Sequence, residues 1–130
     1  MVCPIVVTAA LLFRGGKILI SQRRRDARRG LKWEFPGGKV EEGETPEAAL
    51  ERELREELGV RTRTGRIDDA KLFCYPDQKV LVLFYLSELL EGEPAPLDAN
   101  AVEWVEPARL AEYDFCTADA DVAARIAGRF

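Results

Sequence analysis

The segment from Thr45 to Gly59 constrains the fold more than any other part of the chain. Thr45 is a suitable N-cap and Pro46 suits the first helical position. The residues from Ala48 to Leu58 are good helix formers, and Gly59 is a natural C-terminal stop. The spacing predicts a helix over 46–58. Each residue of a helix advances by about 100°. With Glu53 at zero, Glu57 falls near +40° and Glu56 near −60°, an arc of about 100°. Leu50, Leu54 and Leu58 fall at roughly +60°, +100° and +140°. One flank is apolar and belongs on a core, and the adjacent flank gathers three carboxylates.

Like charges at these spacings repel by a few tenths of a kcal/mol in water, and by more in a desolvated cleft. Residues 34–60 hold Glu34, Glu41, Glu42, Glu44, Glu47, Glu51, Glu53, Glu56 and Glu57 against only Lys39, Arg52 and Arg55. Such a block is a solvated face or a cation site. Carboxylate oxygens favour hard cations such as Mg²⁺ or Mn²⁺. The chain has no histidine, which excludes imidazole acid–base catalysis, His-dependent triads and His-ligated zinc.

Around this helix the chain reads as alternating strands and turns. Ile5 to Phe13 is apolar and β-branched, bounded by Pro4 and by Arg14-Gly15-Gly16-Lys17, and reads as a buried strand. Ile18 to Gln22 returns as a hairpin partner. Arg23 to Gly30 is a basic loop, Trp33-Glu34-Phe35 a short strand and Pro36-Gly37-Gly38-Lys39 a tight loop. Val60 to Val105 is mostly β. It includes a hairpin from Lys71–Tyr75 to Lys79–Leu89 around Pro76-Asp77-Gln78, and a short strand at Ala101–Val105. Pro107 to Tyr113 is a helical turn and Thr117 to Arg129 a final helix packed through Val122 and Ile126. The class is α+β, or mixed-sheet α/β in looser usage. A length of 130 residues suits a single domain over 1–130. No apolar run reaches the roughly 20 residues of a membrane span, and the N-terminus lacks signal-peptide features, so a cytoplasmic protein is expected. Cys3, Cys74 and Cys116 read as reduced thiols. A net charge of −4 argues against a duplex nucleic-acid partner.

Gly38, five residues, Glu44, seven residues, then Arg52-Glu53-Leu54-Arg55-Glu56-Glu57-Leu58-Gly59-Val60 matches every specified position of G-x5-E-x7-R-E-U-x-E-E-x-G-U, with U aliphatic. The chain therefore resembles the Nudix hydrolase family, specifically its MutT-type branch of 8-oxo-dGTP and CTP pyrophosphohydrolases. Trp33-Glu34-Phe35-Pro36-Gly37-Gly38-Lys39-Val40-Glu41 extends the likeness, and a weaker similarity spans nearly the whole chain. The resemblance implies the Nudix fold, a mixed β-sheet sandwiched between α-helices. It implies hydrolysis of a nucleoside triphosphate to a monophosphate and pyrophosphate with Mg²⁺, for which Mn²⁺ could substitute. The substrate would be 8-oxo-dGTP or another damaged dNTP in nucleotide-pool sanitation, or alternatively CTP, dCTP or a modified pyrimidine nucleotide. A third reading, from a different class, is a catalytically inactive nucleotide-binding module. Such modules generally lose box glutamates, and all are present here.

By the same resemblance, Glu53, Glu56 and Glu57 would bind metal, together with a carbonyl of Gly37 or Gly38. Glu44 would support the metal site or orient Arg52, and Arg52 would brace the carboxylates. Glu53 is the first candidate for general base. The runner-up is Asp98, in a loop where relatives place another catalytic or metal-binding acid. Arg23 and Phe35 would contact substrate, with Lys39 beside the two glycines in the substrate loop; Phe35 is equally readable as core. Trp33 reads as packing, and Arg24, Arg25, Arg28 and Arg29 as a solvated loop. Asp119 departs from the family pattern. The 8-oxoguanine-specific relatives carry Asn there, and CTP pyrophosphohydrolase-like relatives carry Asp. An ionised Asp only accepts hydrogen bonds and would suit a base amino group; a protonated one mimics an amide. Its alternative role is a helix cap. Monomer and homodimer both remain open.

Overall fold

The structure is a computed structural model that describes residues 3–129. Strands β1 (Ile5–Arg14) and β2 (Lys17–Gln22) form a hairpin, followed by β3 (Trp33–Glu34), β4 (Gly37–Lys39) and helix α1 (Pro46–Leu58). Then come β5 (Arg61–Cys74), β6 (Lys79–Glu91), β7 (Ala101–Val105), a 3₁₀ turn (Pro107–Glu112) and helix α2 (Thr117–Ala127).

The seven strands lie in two groups joined at the hairpin. β1 runs parallel to β6 from Ile5↔Val80 to Leu12↔Ser87, and β5 pairs antiparallel with the other edge of β6. β4 pairs antiparallel with β1 through Val7↔Lys39, Thr8↔Gly38 and Ala9↔Gly37. In the second group β2 lies between β3 and β7. The register of β1 with β2 covers only Phe13↔Ile18 and Arg14↔Lys17. Gly15 and Gly16 turn the chain there with φ of 57° and 78°, the positive values a tight hairpin needs.

Both faces of the mixed sheet are covered, which explains why β1 is nearly all apolar. Ala9 and Leu11 pack with Val82, Phe84, Val122 and Ile126 on the α2 side. Ala10 and Leu12 point the other way, toward Leu50, Leu54 and Leu58 of α1. Fully burying three leucines stabilises by roughly 5–9 kcal/mol. That far exceeds the few tenths that each glutamate pair on α1 costs. The apolar flank therefore dictates how α1 docks, and the acidic flank follows.

The α1 boundaries are those expected. Thr45 Oγ1 accepts from Ala48 N–H at 3.1 Å, and Gly59 closes the helix at φ 72°. Pro36–Lys39 differs from the expected tight loop, because Gly37–Lys39 forms strand β4. A Cβ on Gly37 would overlap the Thr8 carbonyl oxygen, so the glycine enables close pairing with β1. β5 begins at Arg61, ten residues before the expected hairpin arm. Register shifts between Thr64 and Asp69 disrupt the alternation that would have revealed it. α2 ends at Ala127 instead of Arg129, with Gly128 N–H on Ala124 O at 3.0 Å.

Candidate active site

The acidic flank of α1 faces β4. Glu53 lies so close to Gly38 that a Cβ there would overlap the Glu53 carboxylate. Arg52 holds this arrangement from behind. Its Nε and Nη2 donate to the two oxygens of Glu44 at 2.6 and 2.9 Å. Its Nη1 donates to Glu53 at 3.0 Å and Glu56 at 3.2 Å, and Nη2 also reaches Lys39 O at 3.1 Å. A planar fork suits this bracing in a way an ammonium would not. Glu44 in turn accepts from Glu41 N–H at 2.9 Å. The Arg52 hydrogen bonds, helped by that amide, lower the Glu44 carboxyl to a pKa of about 2.

Glu57 lies deeper than Glu56. Burial, then the charges of Glu53 and Glu34, push its carboxyl up to about 9. Among the described residues Glu57 makes no ion pair, and it stands in a crowd of its own sign. Asp98 joins the crowd because its loop is strapped over the end of α1: Leu97 N–H donates to Glu57 O at 3.0 Å and Asp98 N–H to the same oxygen at 3.3 Å. Asp98 also accepts from Arg24 Nη1 at 3.3 Å. Glu56 is exposed at the outer rim.

From Glu57 a cavity of about 420 Å³ runs across β1 and β6 toward the start of α2. Its far wall is built by a backbone splice. Trp33 N–H donates to Asp114 O at 2.9 Å and Cys116 N–H to Trp33 O at 2.8 Å, so residues 114–116 run parallel beside β3 in a bridge of Trp33 with Phe115. Asp119 then reaches back, and its Oδ1 accepts from Phe35 N–H at 3.2 Å. Its side chain therefore does not cap α2, whose N-cap residue is Cys116. Asp119 is only 6% exposed. Burial first, then Glu34, raises its carboxyl well above the ordinary range, which favours the protonated form, able both to donate and to accept.

Arg23, Phe35, Gly37, Gly38 and Lys39 line the same cavity. Phe35 is a core residue that also lines the cavity. It packs against Phe115 at 5.4 Å and Phe84 at 6.3 Å between ring centroids, and it still forms cavity wall. Trp33 packs edge-on against Tyr113 at 5.2 Å.

Three features were not anticipated. Glu34 is a wall residue, held by Arg23 Nη1 at 3.1 Å, with its carboxyl raised mainly by burial. In a two-residue strand no alternation assigns its face. Cys116 is buried in the wall, and burial pushes its thiol up to about 12. The basic loop is not merely solvated. Arg28 pairs with Asp77, and the Arg29 guanidinium lies over Tyr75 at 4.3 Å, so the loop is pinned to the β5–β6 turn at the cavity mouth.

A sequence model of the NUDIX domain family matches residues 4–126. The chain belongs to the Nudix family. Among Nudix relatives, the CTP pyrophosphohydrolase of Escherichia coli K12 is 51% identical over 127 residues, covering 88% of this chain and 85% of that protein. The 8-oxo-dGTP diphosphatase of the same strain is 38% identical over 110 residues, covering 85% of each chain. The crystal structure of the MutT protein from Methanosarcina mazei Go1 superposes with a TM-score of 0.86, covering 98% of this chain and 96% of that one. At 22% identity that likeness shows the fold. The protein is a MutT-type Nudix hydrolase, and its mixed sheet with flanking helices is the Nudix fold. Residues Gly38 to Val60 are its Nudix box.

Proposed function

We propose that the protein hydrolyses a nucleoside triphosphate to the monophosphate and pyrophosphate, with the triphosphate along α1 and the base against Asp119. One observation carries this reading: Glu57 of the box helix and Asp119, from elements far apart in the chain, line one and the same cavity. Such a cavity takes an anionic chain at one end and a planar polar group at the other.

The donor set fits a divalent cation. Glu53, Glu56 and Glu57 would hold it, with a carbonyl of Gly37 or Gly38 and with Asp98. The carboxylate crowding that raises Glu57 is the stress a cation relieves. A bound Mg²⁺ supplies charge neutralisation for the phosphate oxygens and makes nearby water more acidic. The remaining work falls to the chain. Glu53, fixed by Arg52 and seated on Gly38, accepts a proton from the attacking water. The water oxygen bonds to the β-phosphorus while the bond to the α,β-bridging oxygen breaks. That oxygen leaves with the nucleoside monophosphate. Arg23, which lines the cavity, would grip a phosphate or the base.

A neutral Asp119 donates to O6 and accepts from N7–H of 8-oxoguanine together, which favours 8-oxo-dGTP and a role in sanitising the nucleotide pool. CTP or dCTP is the second reading, favoured by the 51% identity to a CTP pyrophosphohydrolase. The working form is a monomer or homodimer acting on free nucleotides; the acidic balance does not favour a duplex partner.

The test is a panel of canonical and oxidised nucleoside triphosphates, with ADP-ribose and dinucleoside polyphosphates, scored by initial rate with Mg²⁺ and with Mn²⁺. Pyrophosphate release restricted to triphosphates, and lost on chelation, is expected. Saturable nucleotide binding without turnover would instead identify an inactive binding module.

A further inference from the structure

We propose that Glu34, Cys116 and Asp119 form a second cation site at the base end of the cavity, which takes Zn²⁺ or another thiophilic divalent ion and so blocks the nucleotide. One donor atom from each residue lies within 4.8 Å of the other two. None belongs to the Nudix box. The splice between β3 and residues 114–116 places Cys116 beside Glu34, and the Phe35–Asp119 hydrogen bond places the second carboxyl there.

The chemistry of the three donors differs from that on α1. The helix offers only carboxylates, which suit Mg²⁺. Here one donor is sulfur, and a thiolate with two carboxylates suits zinc or cadmium far better than magnesium. Cys116 is only 7% exposed, yet its thiol makes no hydrogen bond among the described residues. It lines the cavity wall as an unpartnered polar group. The open cavity leaves room for a water as fourth ligand. Three ionised donors, one divalent ion and the neighbouring Arg23 guanidinium sum to zero charge, which a buried cluster requires. Without the ion, burial raises all three groups and favours their protonated forms.

Occupation at this position would fill the space that the base is proposed to occupy. The inhibitory consequence rests on that functional reading, whereas ion binding does not. Variants carrying Cys3→Ser and Cys74→Ser leave Cys116 as the sole thiol of a chain with three cysteines. Titration of that variant with Cd²⁺, without Mg²⁺, is followed by the ultraviolet thiolate-to-cadmium charge-transfer band. A saturable band of one ion per chain is expected. It should disappear with Cys116→Ser and need about tenfold or more Cd²⁺ with Glu34→Gln or Asp119→Asn. It should survive Glu53→Gln combined with Glu56→Gln, which separates it from the helix site. No band, a band indifferent to both Glu34→Gln and Asp119→Asn, or a band lost with the helix variants would each overturn the site. If Asp119→Asn does not fold, Glu34→Gln decides. Adding a non-hydrolysable nucleoside triphosphate should suppress the band. A band unmoved by nucleotide that demonstrably binds would overturn the placement of the base, not the ion site.

Discussion

The carboxylate of Glu53 occupies the space that a side chain on Gly38 would need. The neighbouring Gly37 is barred from a side chain by something different, the backbone oxygen of Thr8. The two substitutions should therefore fail differently. In Gly38→Ala the obstacle is the end of a flexible side chain, so the fold should survive while kcat falls by at least about tenfold. Gly37→Ala must separate β4 from β1 and should cost about 1–3 kcal/mol of stability. Denaturant unfolding beside initial rates distinguishes them, and equal destabilisation by both would contradict the seating of Glu53.

Glu53→Gln keeps the shape and the hydrogen bond to Arg52 but cannot take a proton. Turnover should fall by at least about a hundredfold, the lower range for a positioned base, with an unchanged melting temperature. Wild-type activity in this variant would move the base to Asp98.

Arg52 acts through the carboxylates it holds. Arg52→Lys keeps the charge and loses the two-point grip on Glu44. The Mg²⁺ concentration for half-maximal rate should rise about 10–100-fold. A purely structural role would lower the melting temperature and leave that requirement unmoved.

Glu44 provides a pH test. Its carboxyl is lowered from 4.5 to about 2 in the folded protein. The folded form therefore stays ionised where the unfolded chain has already taken up a proton. The contribution is fully present above about pH 4.5 and is lost as pH falls through about 2. The stability difference between wild type and Glu44→Gln should be constant at neutral pH and shrink across that acid window. A difference that grows on acidification would show that Glu44 is not held ionised.

Asp119→Asn makes the donor permanent and removes the option of ionising to accept from an amino group. The ratio of kcat/KM for 8-oxo-dGTP over CTP should rise by roughly tenfold or more. Unchanged ratios would show that Asp119 does not read the base.

What could be read in advance was local. The ends of α1, the leucine flank and the glutamate flank all follow from a 3.6-residue period and from caps within a few residues. β1 and β2 follow from apolar runs between breakers. β4 was not legible, since Gly-Gly-Lys has no strand propensity and becomes a strand only because β1 lies alongside. The early start of β5 was hidden by bulges. Arg24, Arg25, Arg28 and Arg29 read as a solvated loop, and Asp77 and Tyr75, the partners of Arg28 and Arg29, are about fifty residues away.

By itself, the sequence determined which helix carries the carboxylates, where that helix begins and ends, and which family it serves, because those properties depend on neighbours one turn away. Only the tertiary structure decided that Glu34, Cys116 and Asp119 meet, that burial favours the protonated form of Asp119, and that Glu57 shares a cavity with them. These outcomes depend on long-range backbone splicing and on burial. Burial sets whether a carboxyl keeps its proton, and no spacing along the chain encodes it.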